Sequence, residues 1–266
     1  MPKSYRFVKC ELDNKGVLTV MLNRPPVNAV DQEFYVEIAD LFGNVDILGD
    51  PTRVVILAAE GRHFCGGNDL DEFATMSPAN GTERMWRVRE AFFAISSCAV
   101  PVIGAVQGSA LGTGLAIAAS CDFVVAERDA RFGLPELTVG VMGGARHLAR
   151  LAPQPLVRRM YFTGEHMTAE ELHSSGGCIF LCEPGELLTE VRRLAVRVAG
   201  FSPTAVRVSK HIVDRIETMD LPDGYAFEQR GTVRMSGHKD SKEALTAFRE
   251  RRPPNYDQQV DRTMFG

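Results

Sequence analysis

The chain has 266 residues, 45% of them hydrophobic and 24% charged, enough apolar material for a large core and ordinary proportions for a soluble globular enzyme. A net charge of −4 and a pI of about 5.9 argue against nucleic acid or an anionic membrane surface as the main partner. The N-terminus has no apolar signal core and no apolar run approaches the roughly 20 residues of a membrane span, while the six cysteines are scattered without a CxxC pair; the expectation is a cytoplasmic protein with reduced cysteines and neither a zinc site nor a disulfide framework.

Phe7 to Leu12 and Val17 to Leu22 alternate apolar and polar residues around Asp13-Asn14-Lys15-Gly16, which predicts a β-hairpin. Asn23-Arg24-Pro25-Pro26 ends the second strand, because proline cannot continue a ladder. Asp31 is placed to cap a helix with Phe34, Ile38, Leu41, Phe42 and Val45 on one face. Arg53 to Ala59 reads as a buried strand, followed by a glycine-rich loop, Gly61 to Asp69. The polar stretch Asp71 to Gly81 is expected to be mobile, with Thr82 capping the next helix through Met85, Val88, Phe92, Phe93 and Ile95.

Val100 to Asp122 then runs as a β-branched strand, a turn through Gly108, Ser109 and Gly112-Thr113-Gly114, and a small-residue segment, Leu115 to Ser120. A strand, a glycine turn and a helix start leave free backbone N–H groups that favour negative charge. Asp122 to Ala126 is another strand, Ala130 to Gly133 a short extended piece, and Gly140 to Gly144 a second glycine-rich segment. Helices are predicted over Pro155 to Phe162, Thr168 to Ser174, Glu186 to Val198, Pro203 to Ile216, Pro222 to Ser236 and Ser241 to Arg251, with a short strand in Gly176 to Leu181. The first half repeats the order strand, strand, helix, as in stacked ββα units.

Gly112-Thr113-Gly114 lacks the third glycine of a dinucleotide fingerprint, and no P-loop, nucleophile elbow or HExxH motif is present. His63 and His147 stand beside glycine-rich loops, where a histidine is more often a surface residue than a base. Phe64-Cys65-Gly66-Gly67-Asn68-Asp69-Leu70 is close to FxxGxDL. Pro101-Val102-Ile103, Gly108, Ala110, Gly112, Gly114 and Cys121-Asp122 match PVIAxxxGxAxGGGxExxxxCD. Phe132, Pro135, Glu136 and Gly140 match FxxPExxxG, and Ala247 to Arg252 is similar to an AFxEKR tail. Together, and in this order, these motifs resemble the crotonase, or enoyl-CoA hydratase/isomerase, family over about residues 5 to 255.

The resemblance implies an α/β fold, a crotonase-like spiral of ββα turns. Residues 1–200 would form the core with the acyl-CoA site. Residues 201–266 would form a helical region that trimerises and completes that site, in a homotrimer or a dimer of trimers. It implies an acyl-CoA thioester as substrate, with no metal or redox cofactor. The backbone N–H groups of Asn68 and Thr113 would hold the thioester oxygen. Proton removal beside a thioester builds an enolate, and fixed donors aimed at its oxygen lower the barrier by about 3–4 kcal/mol each. CoA itself would contact the loop from Arg62 through Phe64 and Cys65 to Gly66, with Arg24 and Arg251 near its phosphates. Asp69 is expected to tie down its loop rather than to catalyse.

Many family hydratases use two glutamates. The second matches Glu136, but the first matches Ala116, which cannot move a proton. A lone acid/base leans the chemistry toward isomerisation, in which one group takes a proton from C2 and returns it at C4. Restoring the missing carboxylate, as Ala116→Glu, is expected to raise hydration; a lone-glutamate hydratase would otherwise need Glu72 or Glu83 to supply the second group. The alternatives are a non-catalytic acyl-CoA-binding member, or a hydrolase or decarboxylase of the same fold.

Overall fold

The computed structural model describes residues 4–48 and 52–265. The chain opens with the hairpin β1 (Val8–Leu12) and β2 (Val17–Leu22), followed by α1 (Gln32–Gly43), β3 (Val54–Ala59), α2 (Leu70–Phe73) and α3 (Pro78–Ser96). Next come β4 (Val102–Val106), β5 (Ser109–Leu111), α4 (Thr113–Ser120), β6 (Phe123–Glu127), β7 (Arg131–Gly133) and α5 (Ala145–Leu151). Then follow α6 (Gln154–Thr163), β8 (His166–Thr168), α7 (Ala169–Ser174), β9 (Phe180–Cys182), α8 (Leu187–Ala199), α9 (Pro203–Ile216), α10 (Leu221–Ser236) and α11 (Lys239–Glu250).

A six-stranded sheet has the order β1-β2-β3-β4-β6-β9, and a three-stranded sheet the order β5-β7-β8. All neighbours in the larger sheet are parallel except β1 and β2. β4 lies in the large sheet, β5 in the small one, and α4 follows; β6, β7 and α5 repeat the step. This is the expected spiral of ββα turns. Alternate residues divide the sheet between two apolar layers. Val55, Leu57, Val102 and Val124 meet Phe34, Ile38, Ile95 and Leu115 in one cluster. Ile56, Ala58, Ile103 and Val125 meet Leu187, Val191 and Ala195 of α8 in the other.

The hairpin and the Asp31 cap form as expected: Val8 pairs with Leu22, and the Asp31 carboxylate accepts from the Phe34 N–H at 2.8 Å. Two expectations need correction. α3 begins at Pro78, not after Thr82; Asn80 Oδ1 accepts the Ser77 N–H at 2.8 Å, and proline suits a first helical position that needs no N–H. The stretch before it is built rather than loose. The buried Arg84 guanidinium pairs with Glu72 and donates to Thr75 Oγ1 at 2.9 Å. β5 and β8 are not legible in the sequence, since three-residue strands carry no period. The C-terminal helices dock through buried bases: Lys210 of α9 pairs with Asp122 at 3.1 Å, and Arg207 with Asp46 at 2.5 Å.

Candidate active site

β5 brings the motifs together. On one side it pairs in parallel with β7, and the Gly112 N–H donates to the Gly133 oxygen at 3.0 Å. On the other, Ala110 bridges Cys65, and the Cys65 oxygen accepts the Leu111 N–H at 3.0 Å. The chain leaving β7 therefore delivers Pro135 and Glu136 beside Gly112. The chain leaving Cys65 delivers Gly67 and Asn68 to the same place. Arg24, Gly66, Asn68, Thr113 and Glu136 all line one pocket of about 620 Å³.

Glycine is required where these segments converge. Gly112 has φ +53°, and a methyl group on it would lie 2.9 Å from Glu136 Oε1. A methyl on Gly114 would lie 2.2 Å from the Cys65 oxygen. These close approaches place the Glu136 carboxylate over the start of α4. Among the described residues, neither the Asn68 nor the Thr113 N–H has a hydrogen-bond acceptor. Thr113 is the first residue of α4, so its amide carries the positive end of the helix dipole.

Glu136 starts a 3-10 turn, Glu136–Val139. Its Oε2 is buried and unpartnered among the described residues. Burial raises its carboxyl above the ordinary glutamate value, opposed only in part by its own backbone N–H. The carboxyl thus keeps its proton to a higher pH than an exposed glutamate does.

The other site residues divide. Arg24 is on the pocket wall, but its guanidinium pairs with Asp69 at 2.7 Å and Asp31 at 3.2 Å and donates to the Ala29 oxygen at 2.7 Å. Asp69 caps α2 through the Glu72 N–H at 3.2 Å, the loop-tying role expected of it. Its carboxyl is held below the usual range by Arg24 first, then by backbone donors. Phe64 and Cys65, expected to contact CoA, do not line the pocket. Both side chains are fully buried, and their N–H groups are spent on the Gln107 and Ser109 oxygens at 3.0 Å each. Burial pushes the Cys65 thiol up to about 12, so it stays protonated. Arg62 is exposed and off the pocket wall, as is Arg251 at the end of α11.

Glu72 and Glu83 are engaged with Arg84 and Arg87 and do not line the pocket. The His147 ring packs edge-on against Phe92 at 4.8 Å, and burial, then Arg150 and Arg146, lower its pKa. His63 is likewise off the pocket wall. Ala116 is 2% exposed within the core and also off that wall. Among the described residues no three His, Cys, Asp or Glu side chains gather as a metal-ligand set.

Sequence reasoning missed Tyr35. Its hydroxyl donates to Asn68 Oδ1 at 2.7 Å and lies 2.7 Å from Thr113 Oγ1. The only signal was a tyrosine, rather than a second phenylalanine, on the buried side of α1.

A model of the enoyl-CoA hydratase/isomerase family matches residues 13–259. The chain belongs to that family. The fold is similar to that of the Mycobacterium smegmatis enoyl-CoA hydratase, with a TM-score of 0.88 and 28% identity, covering 94% of this chain and 99% of that one. In sequence the chain is 31% identical to the short-chain-enoyl-CoA hydratase of Clostridium acetobutylicum over 246 residues, 91% of this chain and 94% of that protein. It is 37% identical to the (7aS)-7a-methyl-1,5-dioxo-2,3,5,6,7,7a-hexahydro-1H-indene-carboxyl-CoA hydrolase of Rhodococcus jostii over 227 residues, 84% and 87% of the two chains. The family thus holds relatives that act on CoA thioesters by different reactions.

Proposed function

We propose that the chain acts on the carbon–carbon double bond of an acyl-CoA through a thioester enolate, with Glu136 as its lone acid/base. One observation carries this reading. Among the described residues, two amides without acceptors and one partly buried carboxylate with a partnerless oxygen converge at Gly112 in a single pocket. The other carboxylates on that wall are Asp69, ion-paired with Arg24, and Asp71 at the exposed rim. In an isomerisation Glu136 takes a proton from C2 of a 3-enoyl thioester. The Asn68 and Thr113 amides hold the enolate oxygen, and the same carboxyl returns the proton at C4.

The greater identity to the Rhodococcus hydrolase favours a second reading. There Glu136 would activate a water, and the two amides would hold the oxyanion that the attack creates. Assays of 2-enoyl-CoA, 3-enoyl-CoA and the hydrolase's bicyclic thioester separate the two. On whichever substrate is turned over, Glu136→Gln should lose at least ~100-fold in kcat with CoA affinity unchanged, the scale for removing a general acid/base. Equal kcat in the two proteins overturns both readings.

The CoA moiety is assigned to the Gly66 side of the pocket, with Arg251 serving a neighbouring subunit. No metal or redox cofactor enters this chemistry. Residues 1–200 carry the reaction, and 201–266 assemble the homotrimer, or a dimer of trimers. Among the described residues no helix is long and apolar enough to cross a membrane; a cytoplasmic location is assigned from the sequence.

A further inference from the structure

We propose that Tyr35 is a positioning residue that fixes the spacing between the two oxyanion donors. This rests on the reading of Asn68 and Thr113 given above. The two donors come from segments whose pairing ends at the Cys65–Ala110 bridge and the bond from the Leu111 N–H to the Cys65 oxygen. Beyond that point each segment turns through a glycine with positive φ, Gly67 at +115° and Gly112 at +53°. Each segment is then held to its own neighbour, Asn68 by its bridge to Val30 and Gly112 by its N–H to the Gly133 oxygen at 3.0 Å, and beyond the Leu111–Cys65 bond no backbone hydrogen bond among the described residues ties one donor to the other.

Tyr35 supplies a brace. Its single hydroxyl hydrogen goes to Asn68 Oδ1, so the Thr113 hydroxyl donates to the Tyr35 oxygen, each at 2.7 Å. The phenol oxygen thus links the side chains of both donor residues and leaves their N–H groups free. The ring is rigidly held. It is 1% exposed, it meets Phe92 edge-on at 6.0 Å, and α1 packs along α3. A buried tyrosine hydroxyl needs a partner. Stability alone does not require that both partners be the two residues whose amides face the pocket. Tyr35 is not on the pocket wall, so it acts through them.

The test uses the full-length protein and acetoacetyl-CoA, whose enolate absorbs in the near ultraviolet, with saturated butyryl-CoA as a control for thioester binding. Wild type should raise the enolate fraction of bound acetoacetyl-CoA. Tyr35→Phe should lower the bound enolate-to-keto ratio by ~10-fold or more, the order expected when an oxyanion donor is displaced, with butyryl-CoA affinity unchanged. Thr113→Val keeps the branched shape and the buried ring while removing the bridging oxygen. It should give a similar loss, and the double variant no further loss, because both break one linkage. A folded Tyr35→Phe protein that holds the enolate as wild type does overturns the proposal. If Tyr35→Phe does not fold, an unchanged enolate fraction in Thr113→Val overturns it. A wild type that binds acetoacetyl-CoA without raising its enolate fraction overturns the oxyanion reading, and the Tyr35 proposal with it.

Discussion

On the proposed reading, Glu136 and Ala116 are the single residues on which the chemistry turns. Burial raises the Glu136 carboxyl in the folded protein, so the native state holds that proton more tightly than the unfolded chain does. Stability from this group is therefore present below the ordinary glutamate pKa and is lost as pH rises through the raised one. Glu136→Gln should melt at a higher temperature than wild type at pH 8 and at the same temperature near pH 4, in thermal scans at both pH values. A base must be ionised to act, so kcat should fall as the solution is acidified through the raised pKa, with a midpoint above the usual glutamate range. At Ala116 the packing predicts the opposite of what the family resemblance does. A glutamate there seemed to restore a second carboxylate, but the position is packed among apolar side chains and away from the pocket. Ala116→Glu buries an unpaired charge. It should cost about 3 kcal/mol or more, read by denaturant unfolding, and bring no gain in 2-enoyl-CoA hydration.

At the scale of elements, the site depends on β5 lying between two chains that come close to touching it. A methyl on Gly114 would meet the Cys65 oxygen at 2.2 Å and the Cys65 Cβ at 2.8 Å. The start of α4 cannot retreat, because every residue of that helix is buried. Gly114→Ala should destabilise by about 2–3 kcal/mol, as overpacking does. It should also lower kcat more than a mutation of equal stability cost in α8, because the strain displaces the Asn68 segment; matched melting and kinetic measurements on the two variants check this. The sequence located these elements by their glycines and by their order, and it placed α9 at both ends, Pro203 to Ile216. It missed β8 because pairing with β7, rather than any local pattern, makes three residues a strand. It missed α5 because the preceding glycines read as loop.

The whole molecule leaves apolar side chains uncovered on its C-terminal helices. Leu221 is 84% exposed, Val233 73% and Phe248 82%. Scattered apolar surface is normal, but large residues this open on α10 and α11 mark a surface suited to association. Sedimentation should show a trimer or a hexamer. Val233→Asp with Phe248→Asp should release a 29.3 kDa chain whose loss of CoA affinity, if Arg251 serves a neighbouring subunit, matches that of Arg251→Ala. A wild-type monomer with full CoA affinity would refute both the assembly and the role of Arg251.

The sequence by itself determined the fold class and the order of the ββα turns, and its resemblance singled out Asn68, Thr113 and Glu136, which the fold brings to one pocket. Glycine spacing and strand periodicity are local properties written residue by residue, and the motif resemblance pointed from them to those three residues. Only the tertiary structure decided the rest. It spent Arg24 on Asp69 and Asp31, buried Phe64 and Cys65, enclosed Ala116, and set the Tyr35 hydroxyl between Asn68 and Thr113. Those outcomes depend on which distant groups meet when the layers pack, and no spacing along the chain encodes them.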